Sequence, residues 1–431
     1  MRSHTLCQPY STWRNYMLKR NTFAVATVAA GMLLAACSSG STSGTESAST
    51  AASQPETATS ASMAPASMAP SAPLKVGVVT SLTGPAAIYG PPVQATVELA
   101  MKQINDLGGV NGQPIEIIIA DDGSNPTTGA KAVSKLLEQD GVNALVAMTD
   151  SATREGFISQ VEESGIPFVY TTLYEGGACL PNMFVIGEVP AQYDPIYKSF
   201  VTDVGAKKVF FIGHDYVWPQ TVFPLAQKSI ESAGGKVVGQ ELVPFGTSDF
   251  GAILKKAQDA GADSIVTGLV GGDFGAFVKN WRQSGMDKST KQLSLTMTDD
   301  YAQALGAAAA GIYGGFGYFA GVDTPANKAM IAAYKAANPD AFSQNTLTEA
   351  TYDGIQALAK AANAAGTTEA SALIKALAGI QLPDSPRGAL TIDAKTHHAT
   401  ATMHLLVADE TGTYSLVKAF PDVSPGEQCS F

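Results

Sequence analysis

The chain has 431 residues, 45% of them hydrophobic and 15% charged, with a formal net charge of −11. This is enough apolar material for sizeable cores and more length than one ordinary domain needs. An acidic chain without a basic cluster is excluded as a nucleic-acid binder or a ligand of anionic membrane surfaces.

The first 36 residues read as an export signal. Met17-Leu18-Lys19-Arg20 is a short basic start, and residues 22–36 form an apolar run too short to span a bilayer, which takes roughly 20 residues. Leu34-Ala35-Ala36-Cys37 follows and resembles a bacterial lipobox, with Cys37 as the acylated residue. Residues 1–16 push the basic region away from the terminus and read as a misassigned start. Removing 1–36 takes away Arg2, Arg14, Lys19 and Arg20 and no acid, so 27 − 4 = 23 basic against 38 acidic residues leaves −15. Export places the chain where disulfides persist. With Cys37 acylated, Cys179 and Cys429 remain and are expected to pair.

Residues 37–73 hold the acylated Cys and then only a Ser/Thr/Ala/Pro-rich tether, without a Leu, Ile, Val or aromatic residue from 38 to 73. Such a segment cannot bury enough apolar surface to order itself. It would span roughly 30 Å as a flexible tether.

From Leu74 the pattern alternates. Strands are predicted at 74–79, 114–120, 144–148, 168–170, 208–212, 236–243, 264–267 and 292–295. Helices are predicted at 92–107, 151–164, 196–204, 220–233, 250–260 and 274–284. Apolar β-branched strands alternating with helices give parallel sheets covered on both faces. Two runs of similar design, opening at Lys75 and Lys207, predict an α/β fold with two doubly wound parallel-sheet lobes. Further helices are expected at 324–337, 347–365 and 370–378. A hairpin-like pair, 389–392 and 400–407, is extended by 414–417, and the alternation from Ala401 to Val407 suggests an antiparallel edge strand.

Several stretches, in order, resemble the type I periplasmic binding proteins, from Leu74 to about Val417. They are Val79-Thr80-Ser81-Leu82-Thr83-Gly84-Pro85, Asp121-Asp122-Gly123, Tyr174-Glu175-Gly176-Gly177 with Pro181-Asn182, Gly213-His214-Asp215-Tyr216-Val217-Trp218-Pro219, Asp323-Thr324-Pro325 and Gly388-Ala389-Leu390-Thr391-Ile392-Asp393. The resemblance is nearest to the urea- and short-chain-amide-binding branch, allied to the branched-chain amino acid receptors. It implies three hinge strands near 190, 318 and 380. Lobe I would hold 74–190 plus 318–379, lobe II 191–317 plus 380–420, and 421–431 would be a C-terminal tail. It also implies an ABC permease as partner, a small-molecule ligand between the lobes, no cofactor and a monomeric receptor.

Ligand groups are expected in loops at the carboxyl ends of strands, where helix N-termini present free N–H groups. Thr149 and Ser151 follow the strand 144–148, and Ser151 is a natural N-cap. By resemblance Ser151 also contacts the ligand, as do Tyr170 and Thr172 after the next strand, while Arg154 and Glu175 are structural. Tyr216 and Trp218 match two aromatics that close over the ligand in the amide-binding branch. Asp299 or Asp300 would hold an ammonium group, as an acid does in amino acid receptors. Ser81 completes the set, and the loop 270–273 gives close backbone approach.

Other signals are set aside. Gly315-x-Gly317-x-x-Ala320 lacks the strand–turn–helix context of a nucleotide site. His397, His398 and His404 have no suitably spaced third ligand and read as surface histidines rather than a metal site. No nucleophile–base–orienter set is present, so the chain reads as a binding protein rather than an amidohydrolase. An extracellular sensor on the same fold stays open beside the transport role.

Overall fold

The computed structural model describes residues 72–429 and 431. The signal segment 1–36, Cys37 and nearly all of the 37–73 tether lie outside the described residues.

The first lobe opens with β1 (Lys75–Thr80), α1 (Gly90–Asp106), β2 (Glu116–Asp121), α2 (Pro126–Glu138), β3 (Ala144–Met148), α3 (Ser151–Ser164), β4 (Phe168–Tyr170) and β5 (Met183–Val185). Its five strands are all parallel, in the order β2-β1-β3-β4-β5. The second lobe runs through α4 (Asp194–Thr202), β6 (Lys208–His214), α5 (Val217–Ser232), β7 (Lys236–Val243), α6 (Gly251–Asp259), β8 (Ser264–Gly268), α7 (Gly272–Gln283), β9 (Lys291–Ser294), α8 (Asp299–Leu305) and β10 (Ile312–Phe316). The chain then adds α9 (Pro325–Ala337), α10 (Thr346–Ala365), α11 (Ala370–Leu377), β11 (Gln381–Leu382) and β12 (Leu390–Thr391) to the first lobe, and β13 (Ala401–Ala408) and β14 (Tyr414–Val423) to the second. The second sheet has the order β14-β13-β10-β9-β8-β6-β7, and only its β10–β13 and β13–β14 pairings are antiparallel. This is the predicted pair of doubly wound lobes.

Helix α2 is absent from the sequence reading because Thr and Gly crowd its start. Asn125 caps it by accepting from the Thr127 and Thr128 N–H groups, and Pro126 opens it. Gly129 allows close packing on α3: a Cβ there would lie 2.8 Å from Thr153 Cγ2. β5 and β10 also escape the sequence reading, the first for its three-residue length and the second for its two central glycines.

Several expectations at the C-terminal end are corrected. The third crossing does not fall near 380. Residues 381–399 stay with the first lobe: Lys360 Nζ donates to Gln381 O (2.7 Å), Arg387 Nε to Glu349 Oε2 (2.7 Å), and Ala399 N to Val185 O (2.8 Å). The chain enters the second sheet only at β13. The hairpin is β13 with β14, whereas β12 pairs with β11. β13 lies between β10 and β14, with most of its side chains buried, so the edge strand is β14. The expected 421–431 tail begins after Val423 and is fastened by Cys429, which is bonded to Cys179 with their Cα atoms 5.5 Å apart.

Candidate binding cleft

The carboxyl ends of both parallel sheets open onto one cavity of about 60 Å³ between the lobes. Ser81 reaches it from the end of β1, Thr149, Asp150 and Ser151 from β3, and Thr172 and Leu173 from β4. The second lobe contributes Tyr216 and Trp218 at the start of α5, Val270 after β8, Thr296 and Thr298 after β9, and Phe316 at the end of β10. Ala86 and Tyr89 before α1, and Thr346 and Leu347 at the start of α10, close the ring.

Six of the nine residues singled out in the sequence therefore line one cavity: Ser81, Thr149, Ser151, Thr172, Tyr216 and Trp218. Tyr170 does not. It is fully buried behind the wall, its hydroxyl donating to Thr149 O at 2.7 Å. Asp299 and Asp300 do not reach the cavity either. Asp299 accepts from Ala320 N at 2.9 Å, and Asp300 accepts from Asn345 Nδ2 at 2.8 Å. They occupy the first turn of α8, where the helix dipole and these donors draw them away from the cleft. Burial pushes the Asp299 carboxyl up to about 8.

The first-lobe floor is held from behind. Asp150, not Ser151, caps α3, accepting from the Thr153 N–H and Oγ1–H at 3.0 and 2.7 Å. Ser151 is left to donate to Glu175 Oε2 at 2.6 Å. Glu175 also pairs with buried Arg154, whose guanidinium sits 4.9 Å from the ring centres of both Tyr170 and Tyr174. A buried arginine with carboxylate and aromatic neighbours is a structural prop, as its place on α3 suggested.

The second-lobe wall is set by His214. Its Nδ1 accepts from Val270 N at 3.0 Å, so the proton sits on Nε2, which faces Asp273 Oδ2 at 2.9 Å. Burial lowers the His214 pKa against the opposing pull of Asp273, which suits a neutral ring. Trp218 is 3% exposed and packs where Gly268 leaves room: a Cβ at 268 would lie 3.1 Å from Trp218 Cζ3.

His397, His398 and His404 are buried, contrary to the surface role expected of them. His397 stacks on Phe184 and Phe431, His398 on Tyr174, and His404 Nδ1 lies 3.2 Å from Phe316 O. Their packing surfaces are supplied by residues distant in sequence, which local pattern cannot reveal. Among the described residues no group of His, Cys, Asp and Glu is placed to hold a metal.

The lobes touch across the cleft. Tyr89 Oη donates to Thr296 O at 3.2 Å, and its ring meets that of Tyr301 edge-on at 6.4 Å. Gln303 and Ser343 exchange two hydrogen bonds, at 2.7 and 2.9 Å. Gly271, at φ +64°, admits the 82–86 loop, since a Cβ there would lie 2.1 Å from Pro85 O. This is a closed arrangement.

The hydroxyl groups of the cavity are unevenly committed. Ser81 donates to Asp122 Oδ1 (2.7 Å), Ser151 to Glu175, Thr296 to Leu269 O (2.6 Å) and Thr346 to Glu188 Oε1. Each of these four offers only lone pairs to the cavity. Thr149, Thr172 and Thr298 have buried hydroxyls without a hydrogen-bond partner. Among the described residues no Lys or Arg lines the cavity, and Asp150 is the one carboxylate there.

Residues 73–413 match the model of the periplasmic binding protein family, and the chain belongs to that family. Membership carries an extracytoplasmic location and a solute-binding role of the kind that serves ABC transporters. The Leu/Ile/Val-binding protein homolog 1 of Brucella abortus is 28% identical over 308 residues, covering 70% of this chain and 81% of the relative. The leucine-, isoleucine-, valine-, threonine-, and alanine-binding protein of Pseudomonas aeruginosa is 26% identical over 331 residues, covering 75% and 86%. A solute-binding protein from Rhodopseudomonas palustris, solved with 4-hydroxybenzoate, superposes with a TM-score of 0.75 at 23% identity, covering 82% of this chain and 99% of that one. At that identity the likeness is one of fold.

Proposed function

We propose that this protein captures a small N–H-rich solute, of the urea or short-amide class, by closing its two lobes, and hands it to the permease of an ABC importer. The same cleft in an amino acid receptor is the wider class to which this belongs. The observation that carries the reading is the hydrogen-bond state of the few polar groups set in a mainly apolar lining. Four hydroxyls and one carboxylate offer acceptors, while the Thr172 hydroxyl is free to donate and those of Thr149 and Thr298, also unpartnered, lie beside Asp122 and Asp300. An amide group brings N–H donors for the acceptors and a carbonyl oxygen for Thr172. Buried acceptors facing a ligand carboxylate would be left unpaired, at about 1–3 kcal/mol each.

Two further observations support it. Asp299 and Asp300, the acids that would have held an ammonium group, face away from the cleft, so a zwitterion loses its expected anchor. A cavity of about 60 Å³ is small. Since one water needs roughly 10–15 Å³ on this measure, there is room for roughly four to six water-sized groups. The amino acids named for the Brucella and Pseudomonas relatives and the aromatic acid of the Rhodopseudomonas complex supply the rival ligands. Lipid attachment at Cys37 would hold the receptor near its permease, and the tether would let it turn.

Thermal shift followed by calorimetry with urea, acetamide, propionamide, leucine and 4-hydroxybenzoate tests this reading. A ligand that binds only the folded state raises the midpoint according to RT ln(1 + [L]/Kd). Acetamide or urea should raise it most. Tight binding of 4-hydroxybenzoate or leucine with no response to the amides would overturn the assignment.

A further inference from the structure

We infer that Glu188 is a positioning residue that joins the solute cavity to the second hinge strand, so that a solute bonded to Thr346 stabilises the closed hinge. The inference rests on the cavity being the solute site. Glu188 lies on the first crossing between the lobes and is 2% exposed. Its backbone carbonyl accepts from Tyr174 N at 2.9 Å, which fixes it to the loop after β4. Its side-chain Oε1 accepts from two donors. One is Gly317 N, at 2.7 Å, the first residue of the second crossing after β10. The other is the hydroxyl of Thr346, the first residue of α10 and part of the cavity wall. A single carboxylate oxygen thus bridges a cavity hydroxyl and a hinge N–H.

The surroundings are shaped for this bridge. A Cβ on Gly317 would lie 2.9 Å from Glu188 Oε1 and 3.4 Å from Arg387 Nη1, so a larger residue would push the Glu188 carboxylate out of its place. Arg387 lies beside this bridge and forms its ion pairs with Glu349 and Asp353. It donates through Nε to Glu349 Oε2 at 2.7 Å and reaches Ile186 O, on the first crossing, at 3.5 Å.

The coupling follows from hydrogen-bond polarity. Thr346 has given its proton to Glu188, so it meets a solute only as an acceptor. A solute N–H donated to Thr346 Oγ1 polarises that hydroxyl further toward Glu188. Opening the cleft must turn the backbone at the crossings, two of which the Glu188–Gly317 bond ties together. The solute and the closed hinge then reinforce each other through one oxygen, as differential stabilisation of the closed state requires.

The test uses the full chain with acetamide and urea as probes and three variants: Glu188→Gln, Thr346→Val and the double. Glu188→Gln keeps an acceptor oxygen and removes the charge. Each single change should raise the Kd for acetamide about fivefold to tenfold. The double should bind no more weakly than Thr346→Val alone, because Glu188→Gln weakens and Thr346→Val removes the same link. Amide exchange at Gly317 in the acetamide-bound protein should quicken in all three. A merely structural role predicts a lower melting midpoint without solute, an unchanged Kd in Glu188→Gln, or multiplying effects in the double, and any of these overturns the inference. If Glu188→Gln does not fold, Thr346→Val decides: unchanged exchange at Gly317 overturns it. Failure of the unaltered protein to bind either probe removes the solute reading and this inference with it, whereas normal binding in both the unaltered protein and Glu188→Gln removes this inference alone.

Discussion

Asp299 separates two readings of the same residue, and Asp299→Asn tells them apart. In the sequence it is a candidate anchor for a ligand's ammonium group. In the structure it is buried on the first turn of α8, accepts from Ala320 N and leaves Oδ2 without a partner. Burial raises its pKa from 3.8 to about 8. The folded state then holds the proton over a pH range in which the unfolded chain has lost it, so stability falls as pH rises from about 4 to about 8. Below that window both states are protonated and the group contributes nothing. Above it the penalty is complete. At about 1.36 kcal/mol per unit, the penalty accumulated between pH 5 and pH 8 is roughly 4 kcal/mol. Asparagine mimics the protonated acid and should abolish it. The melting midpoint of Asp299→Asn should exceed that of the unaltered protein by an amount that grows between pH 5 and pH 8, toward roughly 8 °C at about 2 °C per kcal/mol. Acetamide affinity should be unchanged. A variant with the same pH profile as its parent, or one that loses binding at every pH while melting normally, would refute the argument.

Three further outcomes are expected. Tyr89→Phe removes the donor to Thr296 O across the cleft and should weaken acetamide binding about twofold to tenfold by calorimetry, with little change in the melting midpoint. Thr172→Val should act with opposite signs. Removing a buried, unpartnered hydroxyl stabilises the solute-free protein slightly, while the lost hydrogen bond raises Kd about tenfold, and a variant both less stable and fully able to bind would contradict this. Cys179→Ser opens a loop of 250 residues, worth about 5 kcal/mol in chain entropy, and frees the segment after β14. It should lower the melting midpoint and expose that segment to protease, read by mass spectrometry of the digest.

The repeating strand–helix pattern was legible without a structure because its causes are local. Continuous apolar β-branched runs such as Val76–Val79 and capped helices such as Ser151–Ser164 carry their own signals. The loops after β3, β4 and α5's own start were legible too, since a doubly wound sheet presents its ligands at strand carboxyl ends. What local pattern could not supply was direction. Ser151 and Asp150 are neighbours, yet only the packed loop shows that Asp150 caps the helix and Ser151 turns to Glu175. Asp299 and Asp300 stand after a strand just as Thr149 and Ser151 do, but Ala320 and Asn345, supplied by later segments, draw them away from the cleft.

Tyr89, Thr346, Leu347 and Phe316 entered the cavity from elements with no loop motif to mark them. They meet only because three crossings fold the chain back on itself, and the third lies at 399–401 rather than near 380 since residues 381–399 find their hydrogen-bond partners on α10 and β5. By itself the sequence determined the two α/β lobes and the strand ends where a ligand would sit, because periodicity and turn chemistry act within a few residues. Only the tertiary structure decided which polar groups face the cleft and which protons they have already given away, because a hydrogen bond is assigned by its partner, and those partners lie as much as 207 residues apart.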